Sequence, residues 1–480
     1  MAARGWHRVL GAMVAAGAIG SGMCAGWTPS AKCQAAADAF CRQSCVPKVH
    51  CNATLARFSG PLPVMWRCYP ASELDPTESN YTAGRCYCSR DSEIRDTLAR
   101  CGDPAPPAPP SGPTIEPFPL PALPDIGRGT HSSGVFWRGQ KAADGTVYPC
   151  VRIPSIITAD GVLLAFAECR RSTGDGCEPT GVKSAGPRDV CARRSVDGGA
   201  SWGNLTVIAP NAGQDTAVYD AVAKTVVVNV LGSSGNMQVV SPDLGLSWSE
   251  PASIGLPHSS ETGPGVGIQL SATNPHAPGR LLFIGHAGAY VQDYVWYSDD
   301  HGKSYKVSKT ATGDSLLKMD EAELVELANG NVLANMRNNV AQPGGGHFRG
   351  VALSTDGGAS FGPVGYDLGL PEPVCMGSII RSADPALGDG AVYFSNPGQA
   401  SGRVTGLVRR SEDCTGMPPE QCKWGDGTFT VYPPGAFAYS CLTPLNHTHV
   451  GLLWETNTSL CTGPSCVQVF SAIPISAFEK

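Results

Sequence analysis

The stretch Ser195-Val-Asp197-Gly-Gly199-Ala-Ser-Trp202 follows the pattern Ser-x-Asp-x-Gly-x-x-aromatic, which the chain repeats three more times. The other copies are Ser241-Pro-Asp243-Leu-Gly245-Leu-Ser-Trp248, Ser298-Asp-Asp300-His-Gly302-Lys-Ser-Tyr305 and Ser354-Thr-Asp356-Gly-Gly358-Ala-Ser-Phe361. Serine and aspartate side chains bond to backbone N–H groups of turns, and glycine tolerates a positive φ. Because the final aromatic residue would pack the turn onto a core, the pattern predicts a recurring hairpin turn.

The copies start at 195, 241, 298 and 354, which sets the length of a repeating unit. Between them lie short apolar runs bounded by Gly, Asn, Asp or Pro, such as 162–167, 225–230 and 450–454. These runs predict strands, and a self-similar unit of short strands is typical of a radially repeated sheet. About 355 residues over six four-stranded blades gives roughly 59 per blade. We therefore predict an all-β fold, a six-bladed β-propeller, over residues 126–480.

The four copies resemble the Asp-boxes of the sialidase (neuraminidase) superfamily, whose catalytic domain is a six-bladed propeller. A degenerate fifth copy, Ser411-Glu-Asp413-Cys-Thr-Gly416, starts 57 residues after the fourth and carries an insertion between Cys414 and Cys422. The resemblance covers about residues 148–477. Non-catalytic propellers carry Asp-boxes too, so a catalytic function has to be argued from other residues.

Three further segments precede the predicted propeller. Residues 1–26 have a basic start and a short apolar run, which indicates a secretory signal peptide, with an uncleaved anchor as the alternative. Residues 27–102 are rich in cysteine and predict a small disulfide-held module, either a carbohydrate- or surface-binding appendage or a structural cap. Residues 103–125 are rich in proline and predict an extended linker.

Composition restricts the compartment and the partners. Nineteen cysteines suit an oxidising environment, and the absence of any Cys-x-x-Cys pair makes a zinc site unfavourable. The net charge of −6 argues against nucleic acid as a partner. No later apolar stretch is long enough for an integral membrane segment. We expect a monomer that is secreted or lies in the lumen of the secretory or lysosomal system, with glycosylation acceptors at Asn52, Asn80, Asn204, Asn446 and Asn457.

Three arginines stand in contexts that match superfamily motifs. Arg152 lies in Val-Arg-Ile-Pro, which resembles the Phe/Tyr-Arg-Ile-Pro motif with valine in first place. Arg337 ends a matching segment that begins at Glu321, and Arg403 ends one that begins at Phe394. In sialidases such arginines bind the substrate carboxylate, for which guanidinium groups suit because they bind it bidentately and stay charged. The resemblance implies a triad of Arg152, Arg337 and Arg403.

Sialic acid, the substrate of this family, carries its carboxylate on the anomeric carbon itself, and this also decides which residue type can act as nucleophile. The carboxylate would repel an anionic aspartate or glutamate, and sialidases use a tyrosine hydroxyl. A phenol with a pKa of ~10 needs a base to remove its proton. Tyr439 matches the family nucleophile and Glu321 matches the base. Strand alternation puts Glu323 on the same face as Glu321, so Glu323 stays open as an alternative, although Glu321 has the sixteen-residue offset from Arg337.

The remaining roles follow from the same resemblance. Asp175 matches the acid/base that protonates the leaving oxygen, with Asp189 as the alternative acid or as a structural or substrate-orienting group. Arg170, or its neighbour Arg171, matches an arginine that contacts the substrate near its carboxylate. Glu455 resembles the glutamate that holds the first triad arginine, because a buried arginine needs a partner.

These matches imply a retaining exo-α-sialidase that acts on sialylated glycoproteins, glycolipids or oligosaccharides and needs neither cofactor nor metal. One alternative is a trans-sialidase, which transfers the sialyl group to another sugar. The other is a non-catalytic sialic-acid-binding propeller, which predicts the loss of Tyr439, Glu321 or Asp175. All three residues are present.

Overall fold

The computed structural model describes Ile126 and residues 129–172, 187–257, 259–287, 292–310, 316–317, 319–340, 347–381, 388–412, 414, 422–425, 427–456 and 467–478. The predicted signal peptide, cysteine-rich module and linker, all within 1–125, lie outside the described residues. Asp175 and part of the fifth repeat, including Asp413, lie outside them too.

The described residues form six antiparallel sheets arranged as the blades of a β-propeller, which confirms the predicted all-β fold. The strands of blade 1, from the innermost outward, are β4 (Cys150–Ala159), β5 (Val162–Arg170), β6 (Arg188–Ser195) and β7 (Thr206–Ala209). Those of blade 2 are β8 (Ala212–Asp220), β9 (Thr225–Gly232), β10 (Gly235–Ser241) and β11 (Ala252–Ser253).

Blade 3 has an interrupted innermost edge. Its short inner strands are β12 (Glu261–Thr262), β13 (Gly265–Val266) and β14 (Ile268–Gln269). The outer ones are β15 (Leu281–Ala287), β16 (Gln292–Ser298) and β17 (Lys306–Val307), with β19 (Leu316–Leu317) also paired to β16. Strand β13 pairs in parallel with β8, so the inner edge of blade 3 is joined directly to blade 2.

Blades 4 and 5 are regular four-stranded sheets. Blade 4 contains β20 (Met319–Glu326), β21 (Val332–Asn338), β22 (Phe348–Ser354) and β24 (Gly365–Pro371). Blade 5 contains β25 (Ser378–Arg381), β26 (Val392–Pro397), β27 (Val404–Ser411) and β28 (Thr428–Ala436). Two small pairs lie beside the blades: β2 (Gln140–Lys141) with β3 (Val147–Tyr148), and β18 (Lys309–Thr310) with β23 (Ser360–Phe361).

Blade 6 closes the ring with strands from both ends of the propeller. It consists of β29 (Ser440–Asn446), β30 (His449–Thr456), β31 (Val467–Pro474) and β1 (His131–Trp137), and a 3-10 helix, Ile475–Phe478, follows β31. Because β1 pairs with β31, hydrogen bonds join the beginning and the end of the ring. Within the described part of the chain, no helix is long and apolar enough to cross a bilayer.

Stacking of the blades buries both faces of their central strands. All nine residues of β5 are buried, although simple strand alternation would place every second side chain in solvent. Aromatic contacts connect neighbouring blades: Trp202 packs edge-on against Phe470, and Trp248 packs edge-on against Phe166. The hydrophobic core therefore lies between the blades.

The four repeats form the predicted turns, each after the third strand of its blade. In each turn the serine Oγ accepts the glycine N–H at 2.8–2.9 Å, and the aspartate Oδ1 accepts the N–H of the next serine at 2.8–2.9 Å. The repeat glycines have φ between 77° and 89°. A Cβ on Gly199 would overlap the Phe470 ring of blade 6, and one on Gly245 would meet Leu164 of blade 1. Glycine is required both for the backbone conformation and for the contact with the preceding blade.

Candidate active site

The predicted site residues meet where the innermost strands begin. Arg152 is the third residue of β4, Glu321 the third of β20, and Tyr439 directly precedes β29. Arg337 lies near the end of β21, the strand that returns to this end of blade 4, and Arg403 directly precedes β27. Ring closure thus places residues from blades 1, 4, 5 and 6 at one mouth of the propeller.

Tyr439, Glu321 and Arg337 form a hydrogen-bonded triangle. The Tyr439 hydroxyl donates to Glu321 Oε1, while Arg337 Nη1 donates to Glu321 Oε2 at 2.6 Å and to the Tyr439 oxygen at 3.0 Å. Glu321 is 2% and Tyr439 5% exposed. The carboxylate is therefore in position to take the tyrosine proton, and the guanidinium in position to stabilise the resulting phenolate.

A β-bulge gives Arg337 a second carboxylate, Asp320, which the sequence analysis missed. The pairing of β20 with β21 shifts between Asp320 and Ala322, and Asp320 Oδ2 lies 3.1 Å from Arg337 Nε. Consecutive strand residues normally point to opposite faces, whereas an extra residue in a bulge redirects one of them. The adjacency of Asp320 to Glu321 was the available signal, but sequence does not reveal the bulge.

Arg152 is fixed by Glu455 through two parallel bonds. Its Nε and Nη2 donate to the two oxygens of Glu455 at 3.0 Å each. Glu455 also accepts the N–H of Ile153 at 2.8 Å and the N–H of Tyr439 at 3.3 Å. One fully buried carboxylate on β30 therefore positions both the first arginine and the backbone of the tyrosine.

Arg152 and Arg403 both lie against the Tyr439 ring. The guanidinium carbons are 4.9 Å (Arg152) and 5.2 Å (Arg403) from the ring centroid. Arg403 Nη2 donates to the carbonyl of Val374 at 3.2 Å, and the Arg403 carbonyl accepts the N–H of Phe437. With Arg337 on the hydroxyl, the tyrosine is in contact with three guanidinium groups.

The electrostatic environment separates the charge states of Tyr439 and Glu321. Burial, and then the Glu321 carboxylate, raise the pKa of Tyr439 well above its usual value, against the opposing effect of the arginines. Burial also raises the pKa of Glu321, but Arg337, His286 and the bond from Tyr439 outweigh it, so this pKa is lowered. At rest the tyrosine is a phenol and the glutamate an anion, which is the starting state that a base and nucleophile require.

Of the two glutamates left open by the sequence, Glu321 binds the tyrosine hydroxyl. Glu323 lies one strand pleat further along β20 and is fully buried. It accepts the hydroxyl of Ser378 and the N–H of Ile379 at 2.7 and 2.8 Å.

The blade 1 residues are held by internal ion pairs. Arg170, 2% exposed, donates to Glu168 Oε2 through Nε at 2.9 Å and Nη2 at 2.7 Å. Arg171 is bound through Nε and Nη2 to the buried Asp189, which also accepts the Tyr148 hydroxyl at 2.7 Å. These bonds suit a structural role for Asp189, while the substrate contact expected of Arg170 stays a prediction.

Among the side chains that the structure describes, no group of three or more His, Cys, Asp or Glu could hold a metal ion.

Comparison with known proteins identifies relatives of the propeller. No protein-family model matches the chain. It is 34% identical over 358 residues to a sialidase of Micromonospora viridifaciens, a match covering 65% of this chain and 51% of that protein. It is 30% identical over 230 residues to an anhydrosialidase of Macrobdella decora, covering 45% and 28%. The chain thus spans about half of the first relative and less of the second.

A solved structure shares the fold. The leech intramolecular trans-sialidase superimposes with a TM-score of 0.60 at 18% identity, covering 72% of this chain and 71% of that one. The sequence relatives and this neighbour agree on the scaffold, and the mouth of the propeller carries the side chains described above.

Proposed function

We propose that this chain, which belongs to the sialidase superfamily, is an exo-α-sialidase that hydrolyses terminal α-linked sialic acids with retention of configuration. The observation that carries the proposal is the Tyr439 hydroxyl bonded to the Glu321 carboxylate among three guanidinium groups. A phenol beside a base suits attack on a carbon that bears a carboxylate, which an anionic nucleophile would approach poorly.

In the proposed reaction, Arg152, Arg337 and Arg403 bind the substrate carboxylate. Glu321 takes the proton of Tyr439 while the tyrosine oxygen bonds to the anomeric carbon. Asp175 protonates the departing glycosidic oxygen. Water, deprotonated by Asp175, then displaces the tyrosine and Glu321 returns the proton to it. Arg170 contacts the substrate near its carboxylate, Glu455 keeps Arg152 in place, and Asp189 keeps Arg171 in place.

The substrates in this proposal are sialylated glycoproteins, glycolipids or oligosaccharides. A secreted or lumenal monomer with the domain boundaries expected from the sequence would meet them outside the cytosol. No cofactor enters the proposed steps.

Hydrolysis of a fluorogenic α-sialoside tests the proposal. The wild-type protein should release the fluorophore, whereas Tyr439→Phe, which removes only the hydroxyl, should lower kcat by at least about 10³-fold. Tyr297→Phe is the matched control, because Tyr297 lies on β16 and packs under Arg280, 4.0 Å from ring centroid to guanidinium carbon. Full activity of Tyr439→Phe would contradict the nucleophile assignment.

Intramolecular transfer is a second candidate, favoured by the names of two of the similar proteins. Both reactions start from the same tyrosyl intermediate and differ in the group that attacks it. Product analysis by NMR distinguishes them: hydrolysis gives free α-sialic acid first, and intramolecular transfer gives an anhydro sugar. Inactivity of the wild type on every sialoside would favour the non-catalytic binding alternative.

A further inference from the structure

A second contact runs between the two segments that carry Glu321 and Tyr439. Two residues beyond Glu321, Glu323 Oε1 lies 3.7 Å from the thiol of Cys441, which is two residues beyond Tyr439. The same pair of innermost segments, β20 and the start of β29, is therefore joined twice, first by the tyrosine and the base and then by Glu323 and Cys441.

Glu323 also binds the other inner strands of this half of the ring. Its Oε1 accepts the N–H of Val266 on β13 at 3.3 Å. Its Oε2 accepts the Ser378 hydroxyl and the Ile379 N–H on β25. We call Glu323 and these four partners, Val266, Ser378, Ile379 and Cys441, the axial hub.

The axial hub continues around the ring through its partners. Ser378 Oγ accepts the N–H of Leu442 on β29 at 2.8 Å, which ties blade 5 to blade 6. On the other side, the carbonyl of Gly265 accepts the hydroxyl of Ser155 on β4 at 2.7 Å. A Cβ on Gly265 would overlap Glu323 Oε1, so glycine is needed for the backbone to pass the carboxyl group. Glu323 thus fixes the innermost strands of blades 3, 5 and 6 relative to blade 4.

The charge of Glu323 suits a place beneath the base. Burial, opposed by the bonds from Ser378, Ile379 and Val266, raises the pKa of Glu323 to about 8. The group is then largely a neutral acid at neutral pH. A neutral Glu323 donates its own proton to one of the two partners that can also accept, Ser378 Oγ or Cys441 Sγ, so it still joins the strands and adds no second anion close to the Glu321 carboxylate.

We propose that Glu323 is a positioning residue of the reaction: by joining β20 to the start of β29 it sets the contact between Glu321 and Tyr439. This inference rests on the proposed function for its catalytic consequence. Its geometric part, the coupling of the two contacts, stands independently of which substrate the site takes.

The catalytic consequence is tested by steady-state kinetics on Glu323→Leu and Glu323→Gln. Leu removes all four hydrogen bonds at similar volume, so kcat should fall at least about 30-fold because a misplaced base and nucleophile react slowly. KM should change less than about threefold, because Arg152 is fixed by Glu455 and Arg403 by the carbonyl of Val374. Gln keeps the length and one accepting oxygen, so it should recover most of kcat.

Asp220 provides the matched control for a loss of stability alone. It is a fully buried carboxylate at the far end of inner strand β8. It is hydrogen-bonded to the N–H groups of Val222 and Ala223 and to the side chains of Gln269 and His301. Asp220→Leu should destabilise the fold while leaving kcat per folded molecule unchanged. An equal kcat in Glu323→Leu and wild type, or an equal loss of kcat in Asp220→Leu, would overturn the proposal.

If the wild type hydrolyses no sialoside, the proposed function fails. The positioning role of Glu323 can still be tested by a double-mutant cycle on stability. Unfolding by urea is measured for wild type, Tyr439→Phe, Glu323→Leu and the double variant. If the two contacts depend on each other, the unfolding constants should deviate from additivity by about fivefold or more. Deviation below twofold would overturn the positioning role whatever the activity.

Discussion

Replacement of Glu455 by glutamine should break the buried ion pair that holds Arg152 in place. Glu455 accepts four hydrogen bonds, two from the Arg152 guanidinium and two from backbone N–H groups, and both side chains are almost completely buried. Glutamine keeps one accepting oxygen but turns an NH₂ group towards the other donors, and the buried guanidinium loses its counter-charge. Removing one partner of a buried pair costs about 3–5 kcal/mol, so we expect Glu455→Gln to lower the free energy of unfolding by about that amount.

Urea unfolding and sialoside kinetics would measure both consequences. The free energy of unfolding should fall, and kcat/KM should fall about 100-fold, because a displacement of about 1 Å at a positioning residue has an effect of that order. The double variant Arg152→Met with Glu455→Leu replaces the pair by apolar groups of similar volume. It should recover most of the stability, since no buried charge is left unpaired, yet remain inactive.

Comparing the free energies of unfolding of the single and double variants shows whether the ion pair between Arg152 and Glu455 is the source of the stability. A loss below about 1 kcal/mol in Glu455→Gln would mean that Arg152 is compensated by other groups. A double variant as unstable as the single one would mean that Glu455 acts mainly through the backbone N–H groups of Ile153 and Tyr439. Either result would refute the ion pair as the source of the stability.

Three further predictions concern stability. Asp197→Ala removes the bonds of one repeat turn and should cost about 1 kcal/mol without changing kcat. Hydrogen bonds from Ser201 lower the pKa of Asp197 to about 2, so its contribution is present above pH 4 and lost as the pH falls towards 2; equal acid midpoints for both proteins would contradict this. Cys169 and Cys191 form a disulfide across a sequence separation of 22 residues. Replacing both by serine should lower the free energy of unfolding by about 3 kcal/mol, because the bridge no longer restricts the unfolded chain, and an unchanged Tm would refute this. Because Glu323 keeps its proton only in the folded state, its contribution to stability should be lost as the pH rises from about 4.5 to 8. Over that range the free energy of unfolding of Glu323→Gln should therefore decline less steeply than that of the wild type, by up to about 1.4 kcal/mol per pH unit; the buried Asp215 and Asp293, whose pKa values are also raised, contribute to the decline in both proteins, and parallel pH profiles would show the prediction to be wrong.

The local pattern of the sequence was sufficient to predict the propeller scaffold. Each repeat places its serine, aspartate and glycine within five residues, and the hydrogen bonds that form the turn join those same residues. Such short-range bonds can be predicted from residue types alone. Spacing and the short apolar runs then gave the number of blades, and the structure has the six that were predicted.

The sequence also supplied the candidates for the site but not their contacts. It offered Glu321 and Glu323 on one strand face, and it passed over Asp320. The bulge in β20 turns both Asp320 and Glu321 towards Arg337, and ring closure brings Tyr439, 118 residues later, onto Glu321. Neither effect has a signature in the spacing of residues along the chain.

The sequence by itself therefore determined the turns, the blade count and the residue types available for the chemistry, because these depend on hydrogen bonds and apolar periods within a few residues. Only the tertiary structure decided which carboxylate meets the tyrosine and that Glu323 belongs to the axial hub. Those choices depend on the joining of β1 to β31 and on the register of neighbouring innermost strands, which fix distances between residues far apart in the chain.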